Sequence, residues 1–152
     1  MTPEAQRIEI TLETILESVD LAESTVMRIA GAAGFGEEET HKIGMAVREG
    51  VINAYNYGNQ RDRQKKIVLI IELEPEKMVV HVLDQGKGFE LAEVPDPLSE
   101  ENLLRTSGRG LFLMRAFMDE VNVQHGPGGG AELVMSKKLP RVVSLSDRCR
   151  AQ

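Results

Sequence analysis

The sequence predicts an α+β domain, a two-layer α/β sandwich with helices on one face of a mixed, largely antiparallel sheet. Three observations predict it. The hydrophobic period switches from two to 3.6 and back along the chain, in the order β-α-α-β-β-loop-α-β-β. Hairpin punctuation joins the strand pairs, which favours antiparallel pairing over parallel crossovers. The length of 152 residues is that of one ordinary domain, large enough to bury roughly 68–70% of its unfolded surface without disulfides or metal.

The elements follow in order. Ile8, Ile10 and Leu12 alternate with polar residues and predict a short first strand. From Glu13 to about Gly34, the residues Ile15, Val19, Ala22, Val26, Ile29 and Ala33 line one helical stripe, stopped by Gly34 and Gly36. Glu37, Glu38 and Glu39 open a second helix, where acidic groups suit the positive end of the dipole. It runs to about Tyr57, with Gly58 as its stop. Lys66 to Glu74 and Met78 to Leu83 are β-rich runs around the turn Glu74-Pro75-Glu76-Lys77. Residues 90–107 hold two prolines and five acids against one arginine, and so long a connection points to a functional or moving segment. An apolar helix from about Gly110 to Glu120 follows, with its methionines in the core. Strands over 121–125 and 131–139 then flank the turn Gly126-Pro127-Gly128-Gly129-Gly130. A polar tail, 140–152, closes a chain read as the single domain 1–152.

Composition narrows the function classes. Eighteen basic and 24 acidic residues give a net charge of −6, which argues against a broad surface for nucleic acid or anionic membrane. No apolar run approaches a membrane span, and the start lacks a signal-peptide core. One cysteine, Cys149 in the tail, suits a reducing compartment, so the expectation is a soluble, cytoplasmic protein. The three histidines (His41, His81, His125) show no metal-ligand spacing, and there is no Gly-x-Ser-x-Gly elbow.

Three short segments carry candidate chemistry. Glu49 and Asn53 lie four residues apart on the second helix, with Asn56 extending the line. That line borders the stripe of Ile43, Val47, Gly50, Val51 and Ala54, so it would edge a cleft, or else simply a solvated helix face. Gly50 inside that helix implies tight packing against the sheet. Asp84-Gln85-Gly86-Lys87-Gly88-Phe89 ends an apolar strand, and its carboxylate can accept from an exocyclic amine while the glycines admit a ligand. The same Asp-x-Gly is also ordinary turn chemistry. Ser107-Gly108-Arg109-Gly110 precedes the third helix, a natural phosphate cradle, but neither a Walker A loop nor a dinucleotide fingerprint is completed.

Taken together, Glu49-Gly50-Val51-Ile52-Asn53-Ala54, Asp84-Gln85-Gly86-Lys87-Gly88-Phe89 and Gly108-Arg109-Gly110-Leu111 resemble the N, G1 and G2 boxes of the GHKL (Bergerat-fold, histidine kinase-like) ATPases. The run from Gly108 to Val121 resembles the anti-sigma factor serine/threonine kinases within that superfamily, and the resemblance covers about residues 7–139. It implies ATP and Mg²⁺ as cofactors. It implies Glu49 as the base acting on the attacking hydroxyl, Asn53 as the Mg²⁺ holder, and Asp84 as acceptor from adenine, with Gly86 and Gly88 shaping the pocket. Residues 90–107 would be the ATP lid, Gly108, Arg109 and Gly110 would meet phosphate, and Arg105 and Arg109 would be the lid-side cations. The implied partners are a sigma factor and an anti-sigma factor antagonist, the latter phosphorylated on Ser or Thr; dimerisation, too, follows only from the resemblance. Three departures stand out: Ala131 follows Gly130 where a threonine is usual, Tyr57 replaces a common histidine, and Gly50 a common alanine. The loss of the hydroxyl at Ala131 keeps open a nucleotide-binding partner switch with little or no kinase activity. A histidine-kinase catalytic half acting in trans is disfavoured, because no dimerisation helix pair bears a phospho-acceptor histidine.

Overall fold

The computed structural model describes residues 6–87 and 108–140. In chain order these form β1 (Gln6–Glu13), α1 (Leu16–Ala32), α2 (Glu37–Asn53) with a π-helical turn Ala54–Gly58, β2 (Lys66–Leu73), β3 (Lys77–Leu83), α3 (Gly108–Phe117), β4 (Glu120–His125) and β5 (Ala131–Lys138). The five strands make one sheet in the order β1-β2-β3-β5-β4. Every described pairing is antiparallel, so the parallel component allowed by the sequence does not occur among the described residues.

Period-two alternation sets the inner face. Leu12 on β1, Ile67, Leu69 and Ile71 on β2, Met78, Val80 and Val82 on β3, and Met135 on β5 are buried in one apolar cluster. The helices complete it: Val19, Ala22, Val26 and Ala30 from α1, Ile43, Ala46, Val47 and Val51 from α2, and Leu111 and Met114 from α3. Met114 and Met118 are core residues, whereas Phe112 is 71% exposed on the far side of α3. Gly50 is where α2 lies closest to the sheet: a Cβ there would fall 2.7 Å from Leu133 Cδ2.

The hairpin turn between β2 and β3 is closed by the Glu74 N–H donating to the Lys77 carbonyl at 2.9 Å. At the same end of the sheet, Lys137 Nζ donates to the Phe117 carbonyl at 2.8 Å and pairs with Glu39 at 2.9 Å. One ammonium thus serves the negative end of α3 and an acid in the first turn of α2. The hydrogen bond and charge of Lys137 hold the Glu39 carboxyl below its ordinary range. On the sheet face away from the helices, His81 is a packed strand residue: its Nε2 lies 2.6 Å from Glu72 Oε1 and its Nδ1 3.7 Å from Glu132 Oε2.

Because Ile67 is fully buried in the apolar layer between sheet and helices, Ile67→Ala should destabilise the domain by about 2–5 kcal/mol. Urea unfolding followed by circular dichroism checks this. A loss under 1 kcal/mol would show that the site collapses around the truncation.

Candidate nucleotide site

The site forms where the end of α2 meets the sheet. Glu49 is half-buried, and Asn53, four residues on, ends the regular α-helix and is buried. Asn53 Oδ1 has no hydrogen-bond partner among the described residues. A buried amide oxygen with nothing to accept from costs roughly 1–3 kcal/mol, so the fold keeps an acceptor available at a cost in stability. Beside these residues, Arg48 turns away and binds Asp20 at 2.6 Å and Glu23 at 2.8 Å on α1. Those two carboxylates hold its guanidinium pKa further above its ordinary value. The neighbouring cation is thereby committed to α1.

After Asn53 the helix widens. The π-helical turn Ala54–Gly58 ends with the Asn59 N–H donating to the Ala54 carbonyl at 2.7 Å. Such a turn adds a residue to the helix and is frequent at functional sites. Here it delivers Gly58 onto the end of β3. A Cβ on Gly58 would lie 2.2 Å from Asp84 Oδ2, one on Gly86 would lie 2.0 Å from the Gly58 carbonyl oxygen, and one on Gly130 would lie 2.1 Å from the Asp84 carbonyl oxygen. Two segments distant in sequence, those of Gly58 and Gly130, therefore close on the Asp84–Gly86 loop, and only glycine permits the approach.

Asp84 is half-buried, and its two oxygens are used differently. Oδ1 accepts from the Gly86 N–H at 2.9 Å and the Ala131 N–H at 3.1 Å. Oδ2 faces Gly58. Burial raises the Asp84 pKa above its ordinary 3.8; the Gly86 and Ala131 hydrogen bonds, and then the charge of Lys65, pull it back only in part. Ala131 thus meets Asp84 through its backbone, a contact that needs no hydroxyl.

Gly108, Arg109 and Gly110 form the first turn of α3, which packs along α2. Arg109 is exposed and Gly110 buried. The first-turn N–H groups give this end of the helix a positive pole. Of the residues singled out by sequence, Gly88, Arg105 and the proposed lid 90–107 lie outside the described residues. Sequence reasoning missed Asn59 and the role of Gly58, which reads in sequence as a helix stop. No local signal marks either role, since Asn59 is wholly buried despite its place in a polar turn. No group of three or more His, Cys, Asp or Glu side chains capable of holding a metal ion occurs among the described residues.

Residues 12–137 match the family model of the histidine kinase-like ATPase domain. The chain belongs to that family. Its relatives include an anti-sigma F factor of Clostridium acetobutylicum, 28% identical over 135 residues, covering 88% of this chain and 94% of the relative. They also include a serine-protein kinase RsbW of Oceanobacillus iheyensis, 27% identical over 138 residues, covering 87% and 86%. Among solved structures, the RsbU and RsbW domains of a Mycobacterium tuberculosis protein superpose with a TM-score of 0.64 at 20% identity. That match covers 90% of this chain and 33% of the solved chain, so this chain spans about a third of that protein's length, and the likeness shows the fold. Membership in this ATPase family makes ATP the nucleotide the domain uses.

The raised pKa of Asp84 carries a sign. Its folded-state value lies above the unfolded one, so its favourable contribution to stability is present below the ordinary carboxylate range and lost as pH rises through the raised value. At neutral pH the ionised carboxylate opposes folding. Asp84→Asn keeps the Oδ1 acceptor and removes the charge, so it should melt at or above the wild-type temperature at pH 7 while ATP affinity falls. Calorimetry of melting and of ATP binding checks both; a variant that unfolds at lower temperature contradicts the assignment.

Proposed function

We propose that this chain is an ATP-dependent anti-sigma regulatory factor: a protein serine/threonine kinase that phosphorylates an anti-sigma factor antagonist and, in alternation, sequesters a sigma factor. The names borne by its relatives, anti-sigma F factor and serine-protein kinase RsbW, support this reading at near full-length coverage. The observation that carries the chemistry is the half-buried carboxylate of Glu49 one helical turn before Asn53, whose buried Oδ1 lacks a partner.

In this reading Asp84 Oδ2 accepts from the adenine amino group, in a pocket shaped by Gly58, Gly86 and Gly130, with Gly88 continuing it. Gly108, Arg109 and Gly110 receive the phosphates at the positive end of α3, and Arg105 and Arg109 are the cations offered to the γ-phosphate. Asn53 Oδ1 suits a hard cation, for which amide oxygens are proper ligands; Mg²⁺, when bound, would neutralise charge on the phosphate oxygens. Glu49 takes the proton from a Ser or Thr hydroxyl of the antagonist as its oxygen bonds to the γ-phosphorus. The bond from that phosphorus to the β–γ bridging oxygen breaks, and ADP leaves with the electron pair. Catalysis is mostly positioning and charge stabilisation, so this small set of groups is sufficient.

The net charge of −6 supports a protein partner over direct nucleic-acid binding. No described helix is long and apolar enough to cross a membrane; in this reading the chain is a cytoplasmic regulator, and dimerisation follows only from the family resemblance. A second reading, a nucleotide-binding partner switch without kinase activity, is favoured by one observation only: the missing hydroxyl at Ala131. The Ala131 N–H on Asp84 supports nucleotide binding under either reading.

The deciding experiment incubates the protein with labelled Mg-ATP and a panel of candidate antagonist proteins, beside Glu49→Gln. Wild type should transfer label to an antagonist, and the variant should be slower by about 10²–10⁴-fold, the range for loss of a general base. Tight ATP binding without transfer to any antagonist would replace the kinase by the switch.

A further inference from the structure

Asn59 is fully buried, and both hydrogens and the oxygen of its side-chain amide are hydrogen-bonded. Its Nδ2 donates to Thr14 Oγ1 at 2.8 Å and to the Lys66 carbonyl at 3.0 Å, and its Oδ1 accepts from the Gln85 N–H at 2.7 Å. The partners close the circuit: Thr14 Oγ1 donates to the Lys65 carbonyl at 2.7 Å, and the Lys66 N–H donates to Gln85 Oε1 at 2.6 Å. One side chain thus joins the β1–α1 junction, the start of β2, and the peptide immediately after Asp84.

Its own backbone is tied as firmly. The Asn59 N–H closes the π-helical turn on Ala54, and its carbonyl accepts from the Asp62 N–H at 3.0 Å. Between them Gln60 and Arg61 take φ values of 50° and 59°, in the left-handed region that side chains other than glycine disfavour. Such a conformation persists only where the surroundings over-determine it. Here the Arg61 N–H donates to the Tyr55 carbonyl at 2.8 Å, and Arg61 Nε to Asn56 Oδ1 at 3.0 Å.

We infer that Asn59 is a positioning residue for base selection: it fixes the Gln85 peptide, and through it the direction in which Asp84 presents Oδ2. This inference rests on the nucleotide reading of Asp84. The chemistry follows from orientation. Adenine offers an exocyclic N–H donor where guanine offers a carbonyl oxygen, so a carboxylate held in one direction accepts the first and repels the second. With the Gln85 N–H released, Asp84 keeps its Gly86 and Ala131 contacts but sits on a loop with one fewer anchor. The pocket then admits rotated poses in which guanine avoids the carboxylate.

The test compares Asn59→Ala with Thr14→Val, measuring dissociation constants for ATP and GTP by calorimetry beside thermal melts. Thr14→Val removes a partner of the Asn59 amide nitrogen but leaves the Gln85 contact, so it serves as a stability control. Asn59→Ala should weaken ATP by about tenfold and compress the ATP-over-GTP preference by a similar factor, whereas Thr14→Val should lower melting temperature with the preference intact. A folded Asn59→Ala with the wild-type ratio overturns the inference alone. Wild type that binds neither nucleotide overturns the nucleotide reading and this inference with it. Should Asn59→Ala fail to fold, hydrogen exchange on the nucleotide-free wild type decides: a Gln85 N–H protected like the core strands supports the preset loop, and one exchanging at exposed-loop rates overturns it.

Discussion

The convergence of two distant backbone segments on the Asp84–Gly86 loop is the constraint on which the rest of the structure depends. Gly58 at the end of α2 and Gly130 in the turn before β5 lie too close to Asp84 to carry side chains, and Gly86, in the loop after β3, lies too close to Gly58. Bringing them together requires the antiparallel placement of β5 beside β3, which sets Leu83 opposite Glu132 and leaves the Ala131 N–H on Asp84. It also requires α2 to run to the sheet edge and widen into its π-helical turn. Remove any one of these and the carboxylate loses either its clamp or its open side.

The energetics divide accordingly. Stability comes from the apolar layer between sheet and helices, where Ile43, Ile67, Leu69, Val47 and Met135 are fully buried. The site draws on that stability. Burial raises the Asp84 pKa, Asn53 Oδ1 is buried without a partner among the described residues, and Gln60 and Arg61 sit in the left-handed region. Each is unfavourable alone, and each lies within the same end of the molecule. A domain optimised for stability alone would satisfy all three; one that must accept a nucleotide leaves acceptors unsatisfied until it binds.

The arrangement of charge separates chemistry from architecture. Arg48 stands next to Glu49 in sequence, yet its guanidinium is drawn to Asp20 and Glu23 on α1. The Arg48 guanidinium is thereby held by α1 and not by the carboxylate next to it in sequence. Arg109, by contrast, is exposed in the first turn of α3, and in the proposed function it is the cation offered to the phosphates.

Much of the fold was legible because periodicity is a local property. The stripe Ile43, Val47, Val51 and the alternation of β2 and β3 follow from helix and strand geometry alone, and all three inner rows are buried as that geometry requires. Strand order was not legible, since β5 enters between β3 and β4, a pairing no neighbouring residues encode. The box residues Glu49, Asn53, Asp84, Gly86 and Gly108–Gly110 stood out by spacing and resemblance. By itself the sequence determined element types, the buried faces and the family-like boxes, because each depends on residues within a turn or a strand of one another. Only the tertiary structure decided that Gly58 is a close-packing residue instead of a mere helix stop, that Ala131 keeps its backbone contact without a hydroxyl, and that Asn59 anchors Gln85. Those roles arise between residues 26 to 47 positions apart, where hydrogen bonds and steric exclusion are set by how layers meet, which local pattern does not record.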